Sequence, residues 1–208
     1  MGSLSRRIEV SLRRKLIIFM CLCLVLACLF ALLAIGLNNR SSVTGLSGVT
    51  RVGKPAPEFS IPLLGGGTIE LSAHLGDPIV LNFWASWCPP CRQESPVLER
   101  AWRKYSGRGV QFVGVNIQDS PQDGQAYLDE FDLTFPNGID SDGVVTVDYG
   151  VIGLPVTFFI GADGTVEGRR VGELPEEKLV DWVEALIAGT TQPGGLDTER
   201  SSAYFEIE

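Results

Sequence analysis

Apolar residues fall into one long unbroken run near the start of the chain and, after residue 52, into short runs separated by segments with helical spacing. The run 79–84, Ile-Val-Leu-Asn-Phe-Trp, is the length of a buried strand, and 92–105 behind it has the period of an amphipathic helix. Residues 110–116 repeat the buried-strand pattern. Residues 122–131 predict a second helix, with Tyr127, Leu128 and Phe131 on one face. The stretch 134–145 reads as loop with room for a short strand, followed by a short helix over 144–149. Residues 157–160 predict a further strand, and Ala162-Asp163-Gly164-Thr165 supplies the turn into 166–171. The last helix, 175–188, opens on a proline and carries Leu179, Trp182, Val183 and Leu186 at helical spacing. Ahead of all this, 59–61 and 68–71 flank Gly65-Gly66-Gly67 as a hairpin whose glycines have the context of a turn, not of a phosphate loop. No internal repeat is visible. Strands alternating with helices and closing on a strand pair predict an α/β fold with a mixed central sheet flanked by helices.

The ends of the chain follow other rules. Residues 16–37 carry no charge and match the length that spans a bilayer, so they are expected to form one transmembrane anchor. Arg6, Arg7, Arg13, Arg14 and Lys15 precede it, which keeps residues 1–15 cytoplasmic and turns the rest of the chain outward, into a periplasmic or extracytoplasmic space. A cleaved signal fits less well, because the apolar core is long and no small-x-small site follows it cleanly. The "VLAC" ending at Cys28 resembles a lipoprotein cleavage box, but apolar residues continue past it. Residues 38–51 are Ser/Gly/Thr-rich and read as a flexible linker, residues 52–188 as the folded domain, and 189–208 as a disordered tail.

Charge removes one class of function. Of 17 basic and 25 acidic residues, six and one stand at or before Arg40, leaving 11 against 24 beyond it. A domain with a net charge of −13 has no basic footprint for nucleic acid. The cysteines divide in the same way. Cys21, Cys23 and Cys28 sit in the apolar run, Cys21 and Cys23 reading as small filler, and the domain holds only Cys88 and Cys91. With His74 as the chain's one histidine, a four-ligand structural zinc site is disfavoured. Two cysteines three apart at the start of a helix, behind a strand, can close on each other and store two electrons. Cys88, at the helix start, lies where free N–H groups and the helix dipole favour a thiolate, so it is the expected nucleophile. Cys91, one turn in, is expected to be more buried and to resolve the mixed disulfide. The plainer alternative is a structural disulfide. Pro89 and Pro90 remove two N–H donors from the Cys88 sulfur, so its thiolate is expected to be only modestly stabilised, which favours a reductant. Trp84, alternating with Leu81, is expected in the core and Trp87 at the surface, shielding the cysteines.

The stretch "NFWASWCPPC", Pro96 five residues after Cys91, and "GLPVTFFIGADGTV" together resemble the membrane-anchored thioredoxin-fold oxidoreductases of the TlpA/ResA/CcmG type. The likeness covers roughly residues 52–188 and includes the N-terminal hairpin and a βα-type insertion between 110–116 and Leu154-Pro155. It implies a thiol–disulfide oxidoreductase that needs no cofactor beyond the Cys88–Cys91 pair. It also implies that Leu154 and Pro155 form a cis-proline loop opposite Cys88, binding an extended substrate by strand addition beside Trp87. Glu94, one turn after Cys91, would lie beneath the cysteines and tune them; the alternative is a first-turn glutamate favoured by the dipole. Asn82 stands where many thioredoxins carry a buried aspartate. The implied partners are disulfide-bearing proteins such as apocytochrome c before haem attachment, with a transmembrane thiol transporter as electron donor. Val156 departs from the glutamate usual after the loop proline in the CcmG subgroup. Two rival classes are a Cu(I)-binding delivery module, which would want more than two methionines and one histidine, and a peroxiredoxin-like peroxidase, which would want a lone cysteine in a Pro-x-x-x-Thr-x-x-Cys setting.

Overall fold

Two strands open the folded region, β1 (Ser60–Pro62) and β2 (Thr68–Glu70), antiparallel to each other. Then follow β3 (Ile79–Trp84), α1 (Pro89–Tyr105), β4 (Gln111–Ile117) and α2 (Pro121–Phe131). The chain continues through β5 (Asn137–Asp140), α3 (Val144–Asp148), β6 (Val156–Ile160), β7 (Val166–Val171) and α4 (Glu176–Ala188). This is a computed structural model describing residues 52–190 and, before them, Met20, Leu24 and Leu26. The contacts divide the chain into units 1–45 and 46–208; in the first, those three residues are helical and exposed. The expected basic segment 1–15, most of the anchor 16–37, the linker 38–51 and the tail from 191 lie outside the described residues. Among the described residues no helix is long and apolar enough to cross a membrane.

The five-stranded sheet has the order β5-β4-β3-β6-β7. β3 runs parallel to β4 and antiparallel to β6, so it is covered on both edges and both faces, and all six of its residues are buried. That is why its sequence is a near-continuous apolar run. The side-chain period of two sends Ile79, Leu81 and Phe83 toward a core shared with the hairpin and Tyr149. Val80 points the other way, into a core built from α1 and α4 by Leu98, Tyr105, Leu179 and Val183. Asn82 and Trp84 share the Val80 face. Trp84 is therefore buried as expected but does not side with Leu81, because residues an odd number apart on a strand point to opposite faces. It closes a third apolar group with Ala85, Cys88, Cys91, Tyr127 and Leu128.

The helix that the hydropathy period places from residue 92 begins at Pro89. Proline satisfies the first turn, where its missing N–H has no helical partner to lose. The segment read mainly as loop over 134–145 contains a fully buried strand, β5, parallel to β4. Its polar residues hide it in the sequence, and each has a specific partner. Asn137 Oδ1 accepts from Trp84 Nε1 at 2.8 Å, and its Nδ2 donates to the Phe135 carbonyl. The Asp140 carboxylate accepts from the N–H groups of Val145 and Thr146, at 3.2 and 2.7 Å. The outer edge of β5 is met by the segment following β1, through the Leu63–Gly138 bridge.

Close packing dictates the glycine on β7. A Cβ at Gly168 on β7 would fall 1.5 Å from Trp182 Cζ3, and Trp182 of α4 packs on Phe159 with ring centroids 4.6 Å apart. Gly168→Ala is expected to displace that indole and destabilise the domain by about 1–3 kcal/mol, the usual range for overpacking. A urea midpoint within error of the parent protein would contradict this.

Candidate active site

β3 ends at Trp84, and four residues later Cys88 takes an extended conformation (φ −89°, ψ 107°) as the N-cap of α1. Its Sγ accepts the Cys91 N–H at 3.3 Å. Pro89 and Pro90 occupy the two intervening positions and have no N–H to offer, so the first turn provides the sulfur with one donor where other sequences could provide more. The two sulfurs are joined as a disulfide, with Cα atoms 5.3 Å apart. Cys91 is fully enclosed and Cys88 keeps 3% exposure, which is the expected order although both sulfurs sit within the Trp84–Tyr127 group.

Beneath the pair, Ser95 Oγ donates to the Cys91 carbonyl at 3.0 Å and lies 2.6 Å from Tyr127 Oη. Tyr127 stacks on Trp84 at 4.4 Å, and burial pushes its phenol up to about 12. Arg92 lies over the Tyr127 and Phe131 rings, 5.5 and 5.0 Å from their centroids, and pairs with Glu130. These contacts hold the first two turns of α1 against α2.

Glu94 is no exposed first-turn carboxylate: only 1% of it is accessible. Since residues 80, 82 and 84 share one face of β3, Asn82 meets α1 there, and its Nδ2 donates to Glu94 Oε1 at 2.7 Å and to Thr157 Oγ1 at 3.0 Å. The Leu174 N–H, just before α4, donates to Glu94 Oε2 at 3.1 Å. Both oxygens thus have a donor, yet the loss of hydration outweighs them and the carboxyl is pushed up to about 8. Nearby Glu173 adds to the rise. A buried acid that titrates near neutrality can hold or release a proton at physiological pH.

The loop entering β6 completes the rim. The Leu154–Pro155 peptide bond is cis, the Pro155 carbonyl accepts the Gly172 N–H at 2.8 Å, and Leu154 packs half-buried against the group that contains both cysteines. Trp87 is 56% exposed beside Cys88, and Ile152 in the same loop as Leu154 is 98% exposed. The structure therefore places Trp87 and Leu154 beside Cys88, with Cys91 enclosed behind it, Pro155 buried next to Leu154, and Glu94 one helical turn deeper. Sequence reasoning did not reach Thr157, Leu174, Ser95, Tyr127 or Asn137 as supports of the site. Apart from the local Ser95–Cys91 and Asn137–Phe135 bonds, the hydrogen bonds that tie them in join residues 32 to 80 positions apart, and no short motif encodes them.

Comparison with known proteins agrees with this geometry. Residues 52–169 match the AhpC/TSA family. Thiol-disulfide oxidoreductase ResA of Bacillus thuringiensis is 35% identical over 135 residues, covering 65% of this chain and 78% of the relative. Among solved structures, a thiol:disulfide interchange protein described as DsbE, from Chlorobium tepidum, superposes with a TM-score of 0.62 at 34% identity, over 66% of this chain and 98% of that one. A secreted Mycobacterium tuberculosis disulfide oxidoreductase homologous to Escherichia coli DsbE superposes with a TM-score of 0.57 at 30% identity, over 61% and 95% of the two chains.

Proposed function

This chain belongs to the AhpC/TSA family and, within it, to the ResA-type thiol-disulfide oxidoreductases of thioredoxin-like fold, and from that premise we propose that it works as a reductant of disulfides in extracytoplasmic proteins. The observation that carries the direction is the single first-turn donor at Cys88. With Pro89 and Pro90 before Cys91, the thiolate gains little from the helix start, so the closed disulfide is the favoured state and electrons leave the dithiol readily.

In this reading the Cys88 thiolate attacks one sulfur of the substrate disulfide, and the other sulfur leaves as a thiolate that takes up a proton. Cys91 then loses its proton, attacks Cys88 Sγ and releases the second substrate thiol, closing the Cys88–Cys91 bond. Two electrons pass to the substrate, and no cofactor takes part. Glu94 serves as the proton store for Cys91, one turn away on α1, with Asn82 and the Leu174 N–H setting its proton affinity. Trp87, Leu154 and Pro155 form the substrate rim, the extended substrate chain running along the cis-proline loop.

The uncharged run 16–37 behind five basic residues supports a single-pass anchor with the domain outside the cytoplasm. The secreted mycobacterial relative fits that placement. Apocytochrome c with a Cys-x-x-Cys-His disulfide is the proposed substrate, and a transmembrane thiol carrier the proposed electron source. Cys91→Ala in the full-length protein tests both substrate and roles, because it stalls the reaction at the Cys88 mixed disulfide. Mass spectrometry of the trapped adducts is expected to find exported proteins with Cys-x-x-Cys-His sites. Adducts confined to other proteins would discard the cytochrome assignment, and equal trapping by Cys88→Ala would discard the nucleophile.

A further inference from the structure

The loop between β3 and Cys88 is gripped from outside by a corner that follows β4. One carboxylate, Asp119, takes three hydrogen bonds there. Its Oδ2 accepts the Ser86 N–H at 2.6 Å and Asn116 Nδ2 at 2.7 Å, and its Oδ1 accepts from Ser86 Oγ at 2.7 Å. The neighbouring Gln118 carbonyl accepts from Trp87 Nε1 at 3.1 Å. Gln118 itself sits at φ 53°, in the left-handed region that a non-glycine residue enters only when its surroundings hold it there. Asn116 is fully buried, and among the described residues its Oδ1 has no hydrogen-bond partner. Its amide is therefore turned to serve Asp119 at the expense of an unsatisfied acceptor, an arrangement that normally destabilises. Arg92 closes the grip from α1, donating to the Ser86 carbonyl at 3.3 Å.

The result is that a large aromatic side chain, more than half exposed, stands beside the disulfide with its indole tied to a braced backbone carbonyl. A free tryptophan on a loop would have to be ordered at each encounter, and ordering a side chain weakens binding. We propose that Asp119 is a positioning residue for protein-disulfide exchange: it locks the Gln118 corner to Ser86 and so presents Trp87, preordered, to an extended protein substrate. The inference rests on the proposed reading of Trp87 as part of the substrate rim. A small disulfide that reaches Cys88 without spreading over the rim gains nothing from the brace.

The test compares Asp119→Ala with the parent protein on insulin and on a small aromatic disulfide, with dithiothreitol as donor. In parallel, hydrogen exchange of the Trp87 indole N–H is followed by NMR in the oxidised protein. The expected result is a KM for insulin raised about tenfold with kcat held within about twofold, the scale of one lost charged hydrogen bond. The small-disulfide rate is expected to stay within about twofold, and indole exchange to speed up about tenfold or more. Equal losses on both substrates, or an unchanged insulin KM, would overturn the proposal, as would unchanged indole exchange. If Asp119→Ala does not fold, Ser86→Ala removes one of the three bonds and is held to the same signs. Should the parent protein reduce the small disulfide but not insulin, the protein-reductase reading fails, and the exchange measurement still decides whether the brace exists.

Discussion

Replacing Cys88 by alanine is expected to abolish protein-disulfide reduction, by at least about a thousandfold, because it removes the proposed nucleophile. Cys91 offers no substitute. It is fully buried one turn inside α1, where a substrate disulfide has no line of approach. The two cysteines should therefore fail differently. Cys88→Ala leaves no covalent intermediate, whereas Cys91→Ala attacks once and stalls. The measurement is insulin reduction under dithiothreitol, read as the rate above the uncatalysed background, with near-native circular dichroism as the check on folding. A Cys88→Ala protein that keeps even about a tenth of the parent rate would mean that the nucleophile lies elsewhere, since loss of a covalent nucleophile is not made up by binding alone.

The second large effect belongs to Glu94 and is read in stability against pH. In the unfolded chain its carboxyl titrates near 4.5, and in the fold burial pushes it up to about 8, so the folded state holds this proton more tightly. The sign follows from linkage. The group's contribution is fully present below about 4.5, falls as pH rises through the window from 4.5 to about 8, and is flat above it. At about 1.4 kcal/mol per pH unit, a few kcal/mol of stability are lost across that window. Glu94→Gln keeps an oxygen for the Leu174 N–H but cannot ionise, so its stability should lack this decline and exceed the parent's at alkaline pH. Asn82 can accommodate the new amide by turning its own oxygen toward it. Urea midpoints of the two oxidised proteins from pH 5 to about 9 provide the test, and oxidation keeps the thiols from titrating. Parallel pH profiles would show that Glu94 is ionised in the fold at neutral pH.

Local patterns carried much of this protein. The near-continuous apolar run 79–84, interrupted at Asn82, read as a buried strand, and β3 indeed has neighbours on both edges and helix or hairpin on both faces. The helical period behind it, with a proline pair tolerated at the first turn, placed both cysteines at the start of α1. Spacing alone thus determined the dithiol, its order along the helix and the shortage of donors at Cys88. The motif around Leu154-Pro155 was legible through its resemblance to a known family, which a contiguous stretch can carry.

The tertiary structure decided what surrounds those residues. β5 was hard to see because Asn137 and Asp140 read as loop polarity until Trp84, Val145 and Thr146 are seen to satisfy them. Glu94 could have been an ordinary first-turn acid, and it became a buried one because the period of β3 turns Asn82 toward it and α4 brings the Leu174 N–H to its other oxygen. Asp119 carried no motif at all. Its importance arises where β4 ends beside the β3–α1 loop, a meeting of residues 33 positions apart. A sequence records which atoms can react, through contiguous spacing. Burial and hydrogen bonding between distant segments set their proton affinities and orientation, and those exist only once the sheet has brought the segments together.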